Sequence, residues 1–319
     1  MKRRAFLTTT SAAALARPAL GQSRPKLRIV VFSPPSLGAF LPPIIKAQGF
    51  DERNGIALEF VERTPDAYAT EFNTGEFDLG GSAAPLTIGL ADARGVSVTY
   101  LLNLFDYWGT VVTTRDEIKS IRDLEGQDLA AAKGTTNWTM FMWFAQRMGA
   151  DTTKFSVMNT TTPGLVTYAM ADRAAGVQLW EPAYTILKSR NPAVRMLDLS
   201  LEDHWKAFAG STRIPYLGVA AQQPWVKKNA SLVPPLYATY RDAAAWLTAN
   251  PDAAAKLIAG RGSADEQHAI ATLVRANDRL RMNVQLAAEL RPELEAVYRA
   301  GMEVGYLPKM PAASTIYAP

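Results

Sequence analysis

Asn73-Thr-Gly-Glu-Phe-Asp-Leu-Gly-Gly-Ser-Ala-Ala-Pro85 reads as the end of one helix, a short strand, a tight turn and the start of a second helix. Gly75 suits a left-handed helix stop, and Phe77, Asp78 and Leu79 form an extended run. Gly80 and Gly81 are expected to turn the backbone where a Cβ would obstruct, with Ser82 or Ala83 opening the helix and Pro85 in its first turn. A helix start of this kind leaves free N–H groups beyond the strand ends, where open α/β sheets hold ligands. One such turn is ordinary in any α/β chain. However, Asp123-Leu-Glu-Gly-Gln-Asp-Leu-Ala-Ala-Ala-Lys-Gly134 repeats the pattern, and Thr135-Thr-Asn-Trp138 then opens a helix carrying Met140, Phe141, Trp143 and Phe144. Two mouths of this type imply two lobes facing one cleft.

The length of 319 residues also favours two lobes, since it exceeds one ordinary core. Before the first strand, Lys2-Arg-Arg-Ala-Phe-Leu-Thr8 has the twin-arginine export pattern, and Ala19-Leu-Gly21 offers a small-x-small cleavage site. The apolar stretch 5–16 is far below the ~20 residues needed to span a bilayer, which argues against an anchor. Cleavage after Gly21 would remove four basic residues and no acidic one, taking the formal charge from +4 to zero. The basic balance therefore describes an export signal and gives no reason to expect nucleic acid or anionic lipid as a partner. Cysteine is absent, which excludes disulfides, thiolate metal sites, cysteine nucleophiles and a lipidated cysteine. These features predict a soluble periplasmic product without stable membrane insertion.

In chain order, strands are predicted at 27–32, 56–61, 96–102 and 109–114 for the first lobe. In the second they fall at 128–132, 155–158, 176–180 and 195–199. Residues 103–108 read as a ring-dense loop. The β-rich run 213–221 carries the chain back to the first lobe, so two crossings make a hinge. The remainder is predicted to be helical, including a helix that starts at Ser263 with Glu266 as its capping-box partner. On typical domain size the divisions are a leader at 1–21, a first lobe at 22–118 and 210–319, and a second lobe at 119–209.

Catalytic and metal signatures are missing. His204 and His268 are the two histidines, each in a polar helical setting, and no nucleophile-elbow, Walker or dinucleotide glycine motif occurs. No metal site, cofactor or catalytic group is expected. The rings are more informative: Phe105, Tyr107, Trp108, Trp138, Trp180 and Tyr216 all lie at predicted strand ends or helix starts. Rings at those positions favour a site that sandwiches an organic ligand. Ser33, Ser36, Ser82, Asn103, Thr135, Thr136, Asn137 and Glu181 are the polar candidates. Helix starts near Ser82 and Thr135 would favour an anionic group on that ligand.

Several segments together carry a family resemblance. Phe50-Asp-Glu-Arg-Asn-Gly-Ile56, Thr74-Gly-Glu-Phe-Asp-Leu-Gly80, Ile118-Lys-Ser-Ile-Arg-Asp-Leu-Glu-Gly126, Trp180-Glu-Pro182 and Trp246-Leu-Thr-Ala-Asn-Pro251 are similar to motifs of periplasmic substrate-binding proteins of the sulfonate/nitrate/taurine type. That group is also called NMT1/THI5-like. The resemblance implies a two-lobed α/β fold of the type II, Venus-flytrap kind, with C-terminal helices packed on lobe 1. It also implies capture of a small molecule for the permease of an ABC transporter. Ligand contacts would cluster at Ser33 to Ser36, at Gly81-Ser82-Ala83, at Thr135 to Trp138, and at Trp180 and Glu181. The ring-rich segments 105–108 and 138–144 depart from what a small sulfonate needs, and fit an aromatic or heteroaromatic acid or a pyrimidine-like compound better. Alternatives are a periplasmic sensor domain or a pyrimidine-synthase-like enzyme, which would need an active-site lysine and histidine and a cysteine-rich iron motif.

Overall fold

The structure, a computed structural model, describes residues 24–319; the leader read at 1–21 lies outside the described residues. Eleven strands, taken among the described residues, form two sheets. In chain order they are β1 (Lys26–Phe32), β2 (Ala57–Arg63), β3 (Leu79–Ala83), β4 (Val98–Asp106) and β5 (Gly109–Thr113). There follow β6 (Asp128–Ala131), β7 (Ser156–Asn159), β8 (Gly176–Trp180), β9 (Arg195–Leu197), β10 (Pro215–Gln222) and β11 (Met282–Leu286). The first sheet has the order β11-β4-β10-β3-β1-β2 and the second β7-β6-β8-β5-β9. Both are mixed: β1 runs parallel to β2 and β3, while β10 is antiparallel to β3 and β4. In the second sheet β6 is parallel to β7 and β8, and β5 is antiparallel to β8 and β9. Helices cover both faces, so the inner strands β3, β4 and β5 are buried at every position and read as continuous runs of apolar and small residues.

The opening stretch folds with one change from its reading. Gly75 does take a left-handed conformation (φ 79°) after the helix Pro65–Asn73. The strand then runs straight through Gly80 and Gly81 to Ala83, and the next helix begins at Pro85. The glycines are there for packing, not for turning. A Cβ on Gly81 would lie 2.9 Å from Ile29 Cδ1 and 2.9 Å from Val31 Cγ1, and one on Gly80 would strike the Tyr68 hydroxyl. At the second mouth the reading holds: the small-residue run forms β6, and Thr135 caps the helix Thr136–Arg147.

Three further differences come from strand pairing. Residues 103–106, read as loop, continue β4, because β10 and β11 flank it on either side and take up its hydrogen bonds. β11 itself escapes the reading, although residues 280–286 alternate strictly between apolar and polar; all five strand residues are half-buried. Thirdly, β5 pairs with β8 and β9, so Gly109–Thr113 belongs to the second sheet although it precedes Lys119. The chain therefore crosses between sheets at Tyr107 and Trp108 and returns ahead of Pro215. The C-terminal helices Val233–Ala249 and Pro251–Ala259 pack on the helix Leu41–Gln48 of the first lobe. Two others also reach the second lobe: Ala264–Ala276 rests on Ala183–Arg190, and Arg291–Glu303 on Thr136–Arg147.

Candidate functional site

The first-lobe side of the cleft is built by a hydroxyl that ties two strand ends together. Ser82 Oγ at the end of β3 accepts a hydrogen bond from Phe32 N at the end of β1 (2.9 Å). The loop after β1 lies directly on that hydroxyl, and a Cβ on Gly38 would collide with it. Ser36 caps the short turn Leu37–Ala39, its Oγ accepting from Gly38 N at 3.2 Å, and Ser33 N donates to Arg63 O at 2.9 Å. Ser33 and Ser36 are half-buried at the mouth, whereas Gly81, Ser82 and Ala83 are buried behind it.

On the second-lobe side, Thr135 Oγ1 accepts from Trp138 N (3.2 Å) and donates to Ala132 O (2.8 Å), which fixes the helix start. Thr136 and Asn137, the next two residues, are buried. Asn137 Nδ2 reaches across to β10 of the first sheet, donating to Tyr216 Oη at 2.7 Å. Tyr216 meets Tyr107 edge to face at 5.4 Å, and Tyr107 stacks on Phe144 at 5.7 Å. Burial pushes the Tyr216 phenol up to about 12, so it remains a neutral donor and acceptor.

The hinge carries a knot of amides around one carboxylate. Asn103 accepts from Tyr100 Oη (2.9 Å) and Tyr216 N (3.3 Å), and donates to Asp106 Oδ1 (3.1 Å) and Asn283 O (2.8 Å). Asn283 Nδ2 donates to both Asp106 oxygens at 3.0 Å. Burial raises the Asp106 carboxyl to about 6 against the pull of these donors and of Arg281. Asp106 N donates to Arg281 O (2.8 Å) and Tyr107 N to Ile214 O (2.7 Å), so the knot holds both crossings. Asn103 thus serves the hinge, and Phe105, fully buried, packs edge to face on Phe40 at 6.5 Å.

The remaining rings divide by helix and strand periodicity. Phe141, Trp143 and Phe144 are core; Trp143 stands edge to face on Trp205 at 5.5 Å. Trp138, Trp108, Trp180 and Tyr216 are half-buried. Trp108 leans on Tyr184 at 5.4 Å, and Trp180 pairs in register with Gly109 just beyond it. Of the rings on that helix only Trp138, and of those in the segment 105–108 only Trp108, stays partly exposed.

Glu181 is fully buried and holds three donors: Thr185 N (3.0 Å), Thr185 Oγ1 (2.7 Å) and Arg279 Nε (2.9 Å). Burial pushes its carboxyl up, opposed by those three hydrogen bonds and the guanidinium charge. Nearby the lobes touch, Pro34, Pro35 and Ser36 facing Pro182 and Ile186, around a crevice of ≈ 10 Å³, room for about one water. Among the described residues no three His, Cys, Asp or Glu side chains converge as a metal site.

A family profile described as NMT1/THI5 like matches residues 44–254. The chain belongs to the NMT1/THI5-like family. Among solved structures it is similar to the periplasmic aliphatic sulphonate binding protein SsuA of Escherichia coli, at TM-score 0.74 and 19% identity over 93% of each chain. The alkanesulfonate-binding protein SsuA of Xanthomonas axonopodis pv. citri, bound to MOPS, gives TM-score 0.70 and 16% identity over 91% of this chain and 97% of that one. A ligand-binding component of an ABC-type import system from Staphylococcus aureus gives TM-score 0.67 and 10% identity over 93% and 97%. These likenesses establish the periplasmic binding protein fold. No curated protein matches the chain by sequence.

In this NMT1/THI5-like chain the site also gathers residues that the sequence reading passes over. Asn283 lies in the alternating run 280–286, a strand signal that could have been read, and Arg279 lies in the turn just before it. Gln178 had a visible signal, being the one polar residue of the run Gly176–Trp180.

Proposed function

We propose that the chain is a solute receptor that closes its two lobes around a small organic molecule and delivers it to the permease of an ABC importer in the periplasm. The observation that carries this reading is two mixed sheets joined by a two-crossing hinge, with four half-buried rings, Trp108, Trp138, Trp180 and Tyr216, at strand ends and a helix start. Rings at a domain interface with a few fixed polar groups are the usual make-up of a site for an organic ligand. Membership of the NMT1/THI5-like family and the binding-protein names of the structural neighbours support the same role. Among the described residues no helix is long and apolar enough to cross a membrane, in keeping with a receptor that works beside its permease. In this reading the hinge opens to admit the ligand and closes on it.

Those neighbours are named for sulfonates. The rings here favour an aromatic or heteroaromatic acid or a pyrimidine-like compound instead, because each ring face at the mouth adds contact area that a small alkyl sulfonate leaves unused. The test is a thermal-shift screen of the chain from Gln22 onward against aromatic acids, alkyl sulfonates, pyrimidines and amino acids. A ligand at ~100-fold excess over its dissociation constant adds roughly 2.7 kcal/mol to the folded state. A shift with one class is expected. No shift with any class, together with no small molecule released on denaturation, would refute the receptor reading.

A further inference from the structure

Gln178 sits in the middle of β8 with 0% exposure, and neither atom of its amide has a hydrogen-bond partner. Asn137 is 1% exposed; its Nδ2 is engaged by Tyr216, and its Oδ1 has no partner. Register and side-chain contacts place the two amides over the same face of the second sheet. Val111 opposes Gln178, and Gly109 opposes Trp180. A Cβ on Gly176 would lie 2.8 Å from Val111 Cγ1, so Val111, Gly176 and, two residues on, Gln178 share that face. A Cβ on Gly109, two residues from Val111 and hence on the same face, would strike the buried Tyr107 hydroxyl and lie 3.1 Å from Asn137 Oδ1, so the Tyr107 phenol shares this face. Gly109 and Gln178 are diagonal neighbours, about 7–8 Å apart. The unmatched amides thus converge beneath the first turn of the helix Thr136–Arg147, one step inward from the half-buried Trp180.

Burying a glutamine without partners is unfavourable, and native chains match nearly all such groups. Leucine or methionine would fill the same volume in a strand whose other members are glycine, valine, leucine and tryptophan. We infer that Gln178 and Asn137 form the polar floor of the cleft and select a ligand edge that both donates and accepts hydrogen bonds, of the amide, lactam or amidine type. Whichever way its amide is turned, Gln178 offers both a donor and an acceptor. A carboxylate or sulfonate brings acceptors alone and would leave the oxygens of Gln178 and Asn137 unmatched, a penalty of roughly ten-fold in affinity for each.

This inference rests on the receptor reading, and matched probes separate the two. The chain from Gln22 onward is titrated with benzamide against benzoate and with nicotinamide against nicotinate, at equal concentrations, and the melting midpoint and dissociation constant are read. The amides are expected to bind at least ten-fold more tightly than the acids. In Gln178→Met, or in Gln178→Leu if the first variant fails to pack, amide affinity is expected to fall about ten-fold while the ligand-free midpoint rises. If the acids bind and the amides do not, the inference falls and the receptor reading stands. If no probe binds, the inference falls, and the receptor reading is decided by the wider screen of ligand classes. A lower ligand-free midpoint in both variants would also overturn it, because the amide would then be matched within the protein by a permanent water.

Discussion

Replacing Arg279 by methionine should cost the fold far more than neutralising its partner. Glu181 follows β8 of the second sheet, and Arg279 precedes β11 of the first, so their 2.9 Å ion pair joins the lobes outside the covalent hinge. Arg279→Met keeps the apolar stem but leaves a carboxylate at 0% side-chain exposure with only the two Thr185 hydrogen bonds. Orphaning one member of a buried pair costs about 3–5 kcal/mol, and the remaining donors put this case near 3 kcal/mol at pH 7. Glu181→Gln is the milder change, about 1 kcal/mol, because Arg279 is 21% exposed and already neighbours Asp278 at 3.3 Å. Acid should relieve the arginine variant. The folded-state pKa of Glu181 lies above its unfolded value, so its contribution is most favourable at low pH and is lost as pH rises through the folded pKa. Removing Arg279 raises that folded pKa further and moves the loss to higher pH. Urea unfolding of both variants and the double mutant at pH 7 and pH 5 measures all of this. Equal costs for the two single variants at pH 7, or an Arg279→Met cost that does not shrink at pH 5, would refute the reasoning.

Asp106 predicts a pH dependence of the same sign: with its carboxyl at about 6, folding stability should fall as pH rises from about 4 to 6, by up to about 3 kcal/mol. Asp106→Asn should flatten that stretch of a stability-versus-pH curve. Gly218→Ala drives a Cβ into the Leu102 backbone carbonyl between β10 and β4, which cannot rotate aside; a loss of about 2–3 kcal/mol is expected in denaturant unfolding. Thr135→Ala removes the cap on Trp138 N and should cost about 1 kcal/mol while weakening ligand binding in calorimetry. Trp180→Ala, in contrast, should weaken binding and leave the chain folded, since its ring is half-buried; unchanged affinity in both variants would remove these residues from the site.

Local rules located helix starts and strand ends better than they sorted the rings. The helix start at Thr135 and the strand end at Trp180 were legible because caps and strand ends are decided within a few residues. Trp138 and Trp143 look alike in sequence, yet one stays half-buried and the other is buried against Trp205, because the helix Thr136–Arg147 is apolar on most of its circumference and carries no sign of which side faces the core. Glu181 was legible as part of Trp180-Glu-Pro182. Its partner was not, lying 98 residues further along the chain.

What the sequence determined by itself is what short-range physics decides: an α/β chain, the left-handed stop at Gly75, the capped helix at Thr135 and the two mouths that imply two lobes. Only the tertiary structure decided that β5 joins the second sheet, that Gly80 and Gly81 are needed for packing and not for a turn, and that Asn103 and Asp106 tie the hinge. It also decided that Gln178 and Asn137 turn unmatched amides to one face. Those outcomes depend on which strand takes up which hydrogen bonds and on what volume lies above each Cα, quantities set by residues far apart in the chain.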